Sequence, residues 1–146
     1  MAQLRIAYTR LRVEEKLLFE AATRLGIPVA ADDVEDRSWP GIEADPGDVV
    51  LCRCIGQTHN IALAQLLESR GIRTINHSSV IALCGDKVTT AAILSRAGVP
   101  QPEYMVAFSP EGAVDAAEKM GYPVVFKPPV GSWGRLLAKV DCRETA

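Results

Sequence analysis

The sequence predicts an α/β fold, a parallel sheet covered by helices, followed by the start of a smaller α+β subdomain. Three observations carry this. Strand-like and helix-like stretches alternate from the first residues to about residue 97. The strand candidates are short, continuous apolar runs, as expected of strands buried on both faces. A segment with two prolines, Gly98–Tyr104, then breaks the pattern before it restarts. The division is therefore drawn as one domain over residues 1–97 and a second, incomplete unit over 98–146.

Leu4–Thr9 is the first strand candidate. Val13 to Leu25 places Val13, Leu17, Leu18, Ala21, Ala22 and Leu25 on one helical face, with Glu14, Glu15 and Arg24 mostly elsewhere, and Gly26 ends it. "IPVAA" is a second strand, followed by an acidic loop around "DDVEDRSWPG". Asp48–Arg53 is a third strand, and Asn60–Arg70 a helix stopped by Gly71. "IRTIN" is a fourth strand, and Ser78–Ala97 is helical with an interruption near Gly85. After the proline segment, "YMVAF" reads as a strand and "SPEGAVDAAEKMG" as a helix, with Ser109 as N-cap and Pro110 at its first position. "PVVFKP" and "RLLAKV" are the last two strands, on either side of a glycine loop.

Composition narrows the function classes. A chain of 146 residues with 48% hydrophobic and 23% charged side chains is expected to be globular. Its formal charge of -2 gives no electrostatic case for nucleic acid or an acidic membrane, and the charges are spread evenly. No run approaches the roughly 18 apolar residues of a membrane span. The opening "MAQLRIAYTR" lacks the basic-then-apolar plan of a signal peptide. Cys52, Cys54, Cys84 and Cys142 contain no C-x-x-C pair and read as buried, reduced thiols of a cytoplasmic protein. With His59 and His77 they do not make a zinc set, so no metal site is expected.

The stretch with most chemistry in it is "VVFKPPVGSWGRLLAKV". A lysine closing an apolar strand either snorkels to water or meets an anion, because an unpaired buried ammonium costs several kcal/mol. Gly131 and Gly134 allow a tight turn whose N–H groups suit phosphate oxygens, although a plain hairpin explains them equally well. Neither a P-loop nor a G-x-G-x-x-G follows a strand here, which disfavours both common nucleotide folds and a dinucleotide-dependent oxidoreductase. Lys87, in "CGDK", opens a helix behind Asp86, a plausible N-cap; on pattern alone it is a solvated first-turn charge. Arg53 ends the third strand, where ligands of open parallel sheets collect, and the polar residues Gln57, Thr58 and His59 follow.

"NHSSVIALCGDKVTTAAILSRAGVPQPEY" followed by "GYPVVFKPPVGSWGRLLAKV" resembles the ATP-grasp superfamily, and within it the RimK-like amino-acid ligases of LysX type. Two lysine motifs forty residues apart, with prolines and a glycine loop around the second, are more specific together than either alone. The resemblance implies that residues 1–97 are a Rossmann-like pre-ATP-grasp domain and that 98–146 open the ATP-grasp domain. It implies that Lys87 and Lys127 contact ATP phosphates and that Gly131, Ser132, Trp133, Gly134 and Arg135 form a loop over the triphosphate. Arg53 and Gln57 correspond to a segment near the amino-acid or acceptor site.

The reaction implied is carboxylate activation as an acyl phosphate, followed by amide formation with an amine. ATP and magnesium would be required, α-aminoadipate or glutamate would be the amino acid, and a small acidic amino-group carrier protein the partner in lysine or arginine biosynthesis. Magnesium ligands are expected outside these 146 residues, which by themselves are expected neither to hydrolyse ATP nor to form an amide. No catalytic residue is assigned. An incomplete second unit exposes apolar surface, which predicts self-association. The competing reading is a non-catalytic interaction module that keeps the fold.

Overall fold

A computed structural model describes residues 2–36, 38, 42–131 and 134–146. The chain forms two compact units, residues 1–82 and 83–146. The proline segment used to divide the sequence at 97/98 lies inside the second of them.

In the first unit, four strands form one parallel sheet in the order β2-β1-β3-β4: β1 (Leu4–Tyr8), β2 (Val29–Asp33), β3 (Val49–Arg53) and β4 (Arg73–Ile75). Leu4 is in register with both Val29 and Val49, and Val49 with Arg73. Parallel neighbours need crossover connections. Two are helices, α1 (Val13–Arg24) between β1 and β2 and α2 (Gln57–Glu68) between β3 and β4. Both end on a glycine in the left-handed region, Gly26 at φ 66° and Gly71 at φ 76°. At each end the following N–H reaches back to a last-turn carbonyl, Ile27 to Ala22 and Ile72 to Leu67.

Successive strand residues point to opposite faces, and β1 uses this to carry a helix on each. Ala7 belongs to a buried cluster with Leu63 and Leu67 of α2, Val50, Cys54, Ile72, Ile42 and Ala44. Tyr8 therefore faces the other side, where its ring meets Phe19 of α1 edge-on at 6.4 Å. The buried face of α1 differs from the apolar stripe in its sequence. Val13, Leu17 and Leu25 are exposed, whereas Glu15 and Ala22 are buried. Glu15 turns inward because two guanidiniums meet it there, as described below.

A charged group is also built into the sheet. Arg5 of β1 donates from Nε and a terminal nitrogen to Asp32 of β2 at 2.8 and 2.7 Å, and its guanidinium lies 3.8 Å from Asp48. Asp32 and Asp48 are fully buried. The Asp32 hydrogen bond, with the charges of Asp32 and Asp48, raises the Arg5 pKa above its ordinary value against the opposing effect of burial. Asp48 also accepts from the backbone N–H groups of Gln3 and Asp45, which ties the approach to β3 onto the start of β1.

Helix α3 (Ser78–Gly85) spans the division between the units, and α4 (Lys87–Arg96) follows after Asp86, the interruption expected near Gly85. The second unit continues with α5 (Pro110–Met120), the antiparallel pair β5 (Val124–Phe126) and β6 (Ala138–Val140), and a short 3-10 helix over Arg143–Thr145. Ser109 caps α5 by accepting from the Gly112 N–H at 3.0 Å, with Pro110 in the first turn. Among the described residues of this unit, the buried apolar ones are Ala117 of α5 and Val140 of β6.

Two strand expectations are corrected here. Tyr104–Phe108 is not a strand, because no described strand pairs with it; Phe108 is 98% exposed, and Tyr104, Met105 and Val106 are also exposed. Arg135 and Leu136 lie in a turn, so the last strand begins only at Ala138.

Candidate functional site

Helices α1 and α2 leave adjacent strands, β1 and β3, for opposite faces of the sheet. That divergence opens a crevice at the carboxyl ends of the two strands, the place where open α/β sheets bind ligands. Local bonds define its walls. The Thr9 hydroxyl accepts from the Ile55 N–H at 3.0 Å, joining the chain after β1 to the chain after β3. Asn60 turns back from α2 to bond both the N–H and the carbonyl of Cys54, at 2.8 and 2.6 Å. With the turn held this way, α2 starts at Gln57 behind an extended Gly56 and carries no side-chain cap. Gln57, Thr58 and His59 thus form the first helical turn, ahead of the Asn60 start expected from sequence.

Glu15 sits at this crevice with no exposed surface. Arg12, just before α1, donates to it from its backbone N–H at 3.1 Å, from Nε at 3.1 Å and from a terminal nitrogen at 2.8 Å. Arg53, at the end of β3, donates from Nε at 3.0 Å, and a terminal nitrogen lies 3.0 Å from the same carboxylate. The Arg12 bonds above all, helped by Arg53, outweigh burial and hold the Glu15 pKa at about 2. Glu15 in turn raises the Arg12 pKa. Arg53 and Gln57, the two residues assigned from sequence to this region, are both engaged. Arg53 meets Glu15, and the Gln57 amide donates to the Ile81 carbonyl at 2.6 Å.

The nucleotide-facing residues assigned from sequence all fall in the second unit. Asp86 is extended and caps α4 by accepting from the Thr89 N–H at 2.8 Å. The segment Pro129–Gly131 lies against this helix start. The Lys87 N–H donates to the Pro129 carbonyl at 2.8 Å, Asp86 and Val130 form an antiparallel bridge, and the Lys87 ammonium donates to the Gly131 carbonyl at 2.8 Å. Two motifs 44 residues apart in sequence are thereby in contact.

Lys127 lies one residue beyond β5 and is exposed, so the cost of burying its ammonium does not arise in this unit. Gly131 and Gly134 have φ of 148° and 69°, both in the region glycine favours. Arg135 is exposed, while Ser132 and Trp133 lie outside the described residues.

Among the described residues no three His, Cys, Asp or Glu side chains come together to hold a metal. Of the cysteines only Cys54 is buried, and Cys84 is exposed, which corrects the expectation of four buried thiols; all four are free. Burial pushes the Cys52 and Cys54 thiols up to about 12 and about 11, away from nucleophilic behaviour. No helix among the described residues is long and apolar enough to cross a membrane.

Sequence reasoning missed Glu15 and Arg12. The available signal was the spacing Arg12-x-x-Glu15 at a helix start, where a glutamate at the third helical position reaches back to the cap.

Residues 4–83 match the sequence model of the family described as the LysX pre-ATP-grasp domain. The chain belongs to this family. It is 38% identical over 130 residues to the glutamate–LysW ligase ArgX of Sulfolobus acidocaldarius, covering 88% of this chain and 46% of that protein. It is 36% identical over 147 residues to the α-aminoadipate–LysW ligase LysX of Sulfurisphaera tokodaii, covering 97% of this chain and 52% of that protein. A crystal structure of a RimK-domain ATP-grasp protein from Sphaerobacter thermophilus superposes with a TM-score of 0.80 at 28% identity, covering 98% of this chain and 55% of that one. The chain spans about half the length of the curated relatives it matches. The α/β class and its parallel sheet, expected from sequence, agree with these matches.

Proposed function

We propose that this member of the LysX pre-ATP-grasp family supplies the amino-acid-facing domain and the first ATP-facing elements of an ATP-dependent carboxylate–amine ligase. The amino acid is glutamate or α-aminoadipate, the two that the ligase relatives are named for. The partner is a small amino-group carrier protein of the LysW kind, and the setting is lysine or arginine biosynthesis in the cytoplasm. A carboxylate is activated as an acyl phosphate and then joined to an amine. The work of the protein in such a reaction is positioning and neutralisation of phosphate charge.

One observation carries the reading: the contact between the Lys87 ammonium and the Gly131 carbonyl at the capped start of α4. It puts a cation, a helix N-terminus and a glycine backbone in one place, a combination suited to phosphate oxygens. Lys87 would exchange the carbonyl for a phosphate oxygen. Lys127 would add a second cation from the end of β5, and Gly131, Ser132, Trp133, Gly134 and Arg135 would cover the triphosphate. Arg53 and Gln57 serve the amino-acid side. Magnesium supplies further neutralisation when bound, but no ligand set for it is assigned to the described residues. These 146 residues alone are proposed to make no amide.

The test is nucleotide affinity in a ligase that carries these residues. Lys87→Ala and Lys127→Ala should each weaken ATP binding by about tenfold or more, the scale of a lost charge-assisted hydrogen bond, with circular dichroism unchanged. Unaltered ATP affinity in both variants would reject the assignment.

A further inference from the structure

The crevice between β1 and β3 holds a charge arrangement that nucleotide binding does not use. Arg12 and Arg53 come from different elements and share a single carboxylate. Arg12 also has the exposed Glu14 carboxylate 3.9 Å from its Nε, so the two guanidiniums are balanced by one buried and one exposed carboxylate. Each guanidinium turns Nε and one terminal nitrogen toward Glu15. The other terminal nitrogen of each makes no hydrogen bond among the described residues. Both side chains keep an accessible edge, 23% exposed for Arg12 and 34% for Arg53. These edges lie at the carboxyl end of the sheet, and the uncapped start of α2 follows Arg53 by four residues.

Two guanidiniums side by side repel each other unless a counter-charge lies between them. Glu15 supplies it from a fully buried position, anchored also by the Arg12 backbone. Arginine forks that are fixed in this way match the planar geometry of a second carboxylate on their free side.

We propose that Glu15 is a positioning residue that holds Arg12 and Arg53 as a paired receiver for a carboxylate of the dicarboxylic amino-acid substrate. This rests on the ligase reading above for the identity of the substrate, and it adds Glu15 and Arg12 to the site. Glu15 touches no substrate atom; its effect is to fix two guanidiniums at one distance and orientation.

The experiment titrates the 146-residue chain, at low salt, with L-glutamate and with L-α-aminoadipate, following the arginine Nε–H signals by NMR. The Arg12 and Arg53 signals should shift saturably with one or both. Glu15→Gln should then weaken binding by about tenfold or more, although it makes the cluster more positive by about one charge. A loosely organised basic patch would bind the anion more tightly after that change, and tighter or equal binding would overturn the proposal. Arg53→Lys gives a second reading if the Glu15 variant does not fold. It keeps the charge but loses the fork, and the same loss is expected; unchanged affinity overturns the proposal, as does the absence of any shift in the parent chain. ATP affinity measured on the Lys87 and Lys127 variants separates the two ideas. Lost carboxylate binding with lysine-dependent ATP binding intact counts against this inference alone.

Discussion

The two candidate regions use charge in opposite ways. At the carboxyl edge of the parallel sheet, Glu15 is buried and two arginines are spent on it. At the start of α4, Lys87 is half-buried and holds a neutral carbonyl, and Lys127 is exposed. The first arrangement is coupled to folding, because each buried charge depends on its partners. The second depends little on folding, because Lys87 holds one backbone carbonyl and Lys127 is exposed. The two regions are thus told apart by how tightly their charges are committed to the fold.

The largest effect is expected at a second buried charge cluster of the same sheet, Arg5 with Asp32 and Asp48, which shows what committed charges are worth to this fold. Arg5→Met leaves Asp32 and Asp48 buried beside an apolar side chain, and it should destabilise the chain by about 4 kcal/mol in urea unfolding, the scale for removing one partner of a buried pair. A loss near zero would mean that these carboxylates are solvated in the folded protein.

Acid should reveal Glu15. Its pKa is lowered in the folded state from the ordinary 4.5 to about 2. Its stabilising contribution is therefore complete above pH 4.5 and is lost as pH falls through about 2. Unfolding midpoints of Glu15→Gln should change less across that window than those of the parent chain. Parallel curves would show that the Arg12 and Arg53 bonds do not hold in solution.

The smallest effect belongs to Lys127→Ala, which should leave the thermal midpoint where it is because the side chain is exposed and makes no hydrogen bond among the described residues. A clear drop would place Lys127 with the buried network and erase the distinction between the two regions.

Much of this was legible in the sequence, for physical reasons that differ by element. Short apolar runs marked the central strands β1 and β3 because a strand covered on both faces has little polar side to interrupt it. The edge strands β2 and β4 carry Asp33 and Arg73 and are less covered. Asp86 and Ser109 were readable as caps because a cap acts on N–H groups two or three residues away. Gly26 and Gly71 marked helix ends by the same local logic. Tyr104–Phe108 was misread because an apolar run becomes a strand only beside a partner, and pairing is not a local property.

By itself, then, the sequence determined the alternation of elements, their caps and the lysine and glycine motifs, all of which rest on interactions within a few residues. The tertiary structure alone decided that Glu15 faces inward, that Arg12 and Arg53 meet on it from separate elements, and that Lys87 reaches Gly131. Those contacts join residues up to 44 positions apart, and the charge of a side chain does not say which distant partner will make its burial affordable.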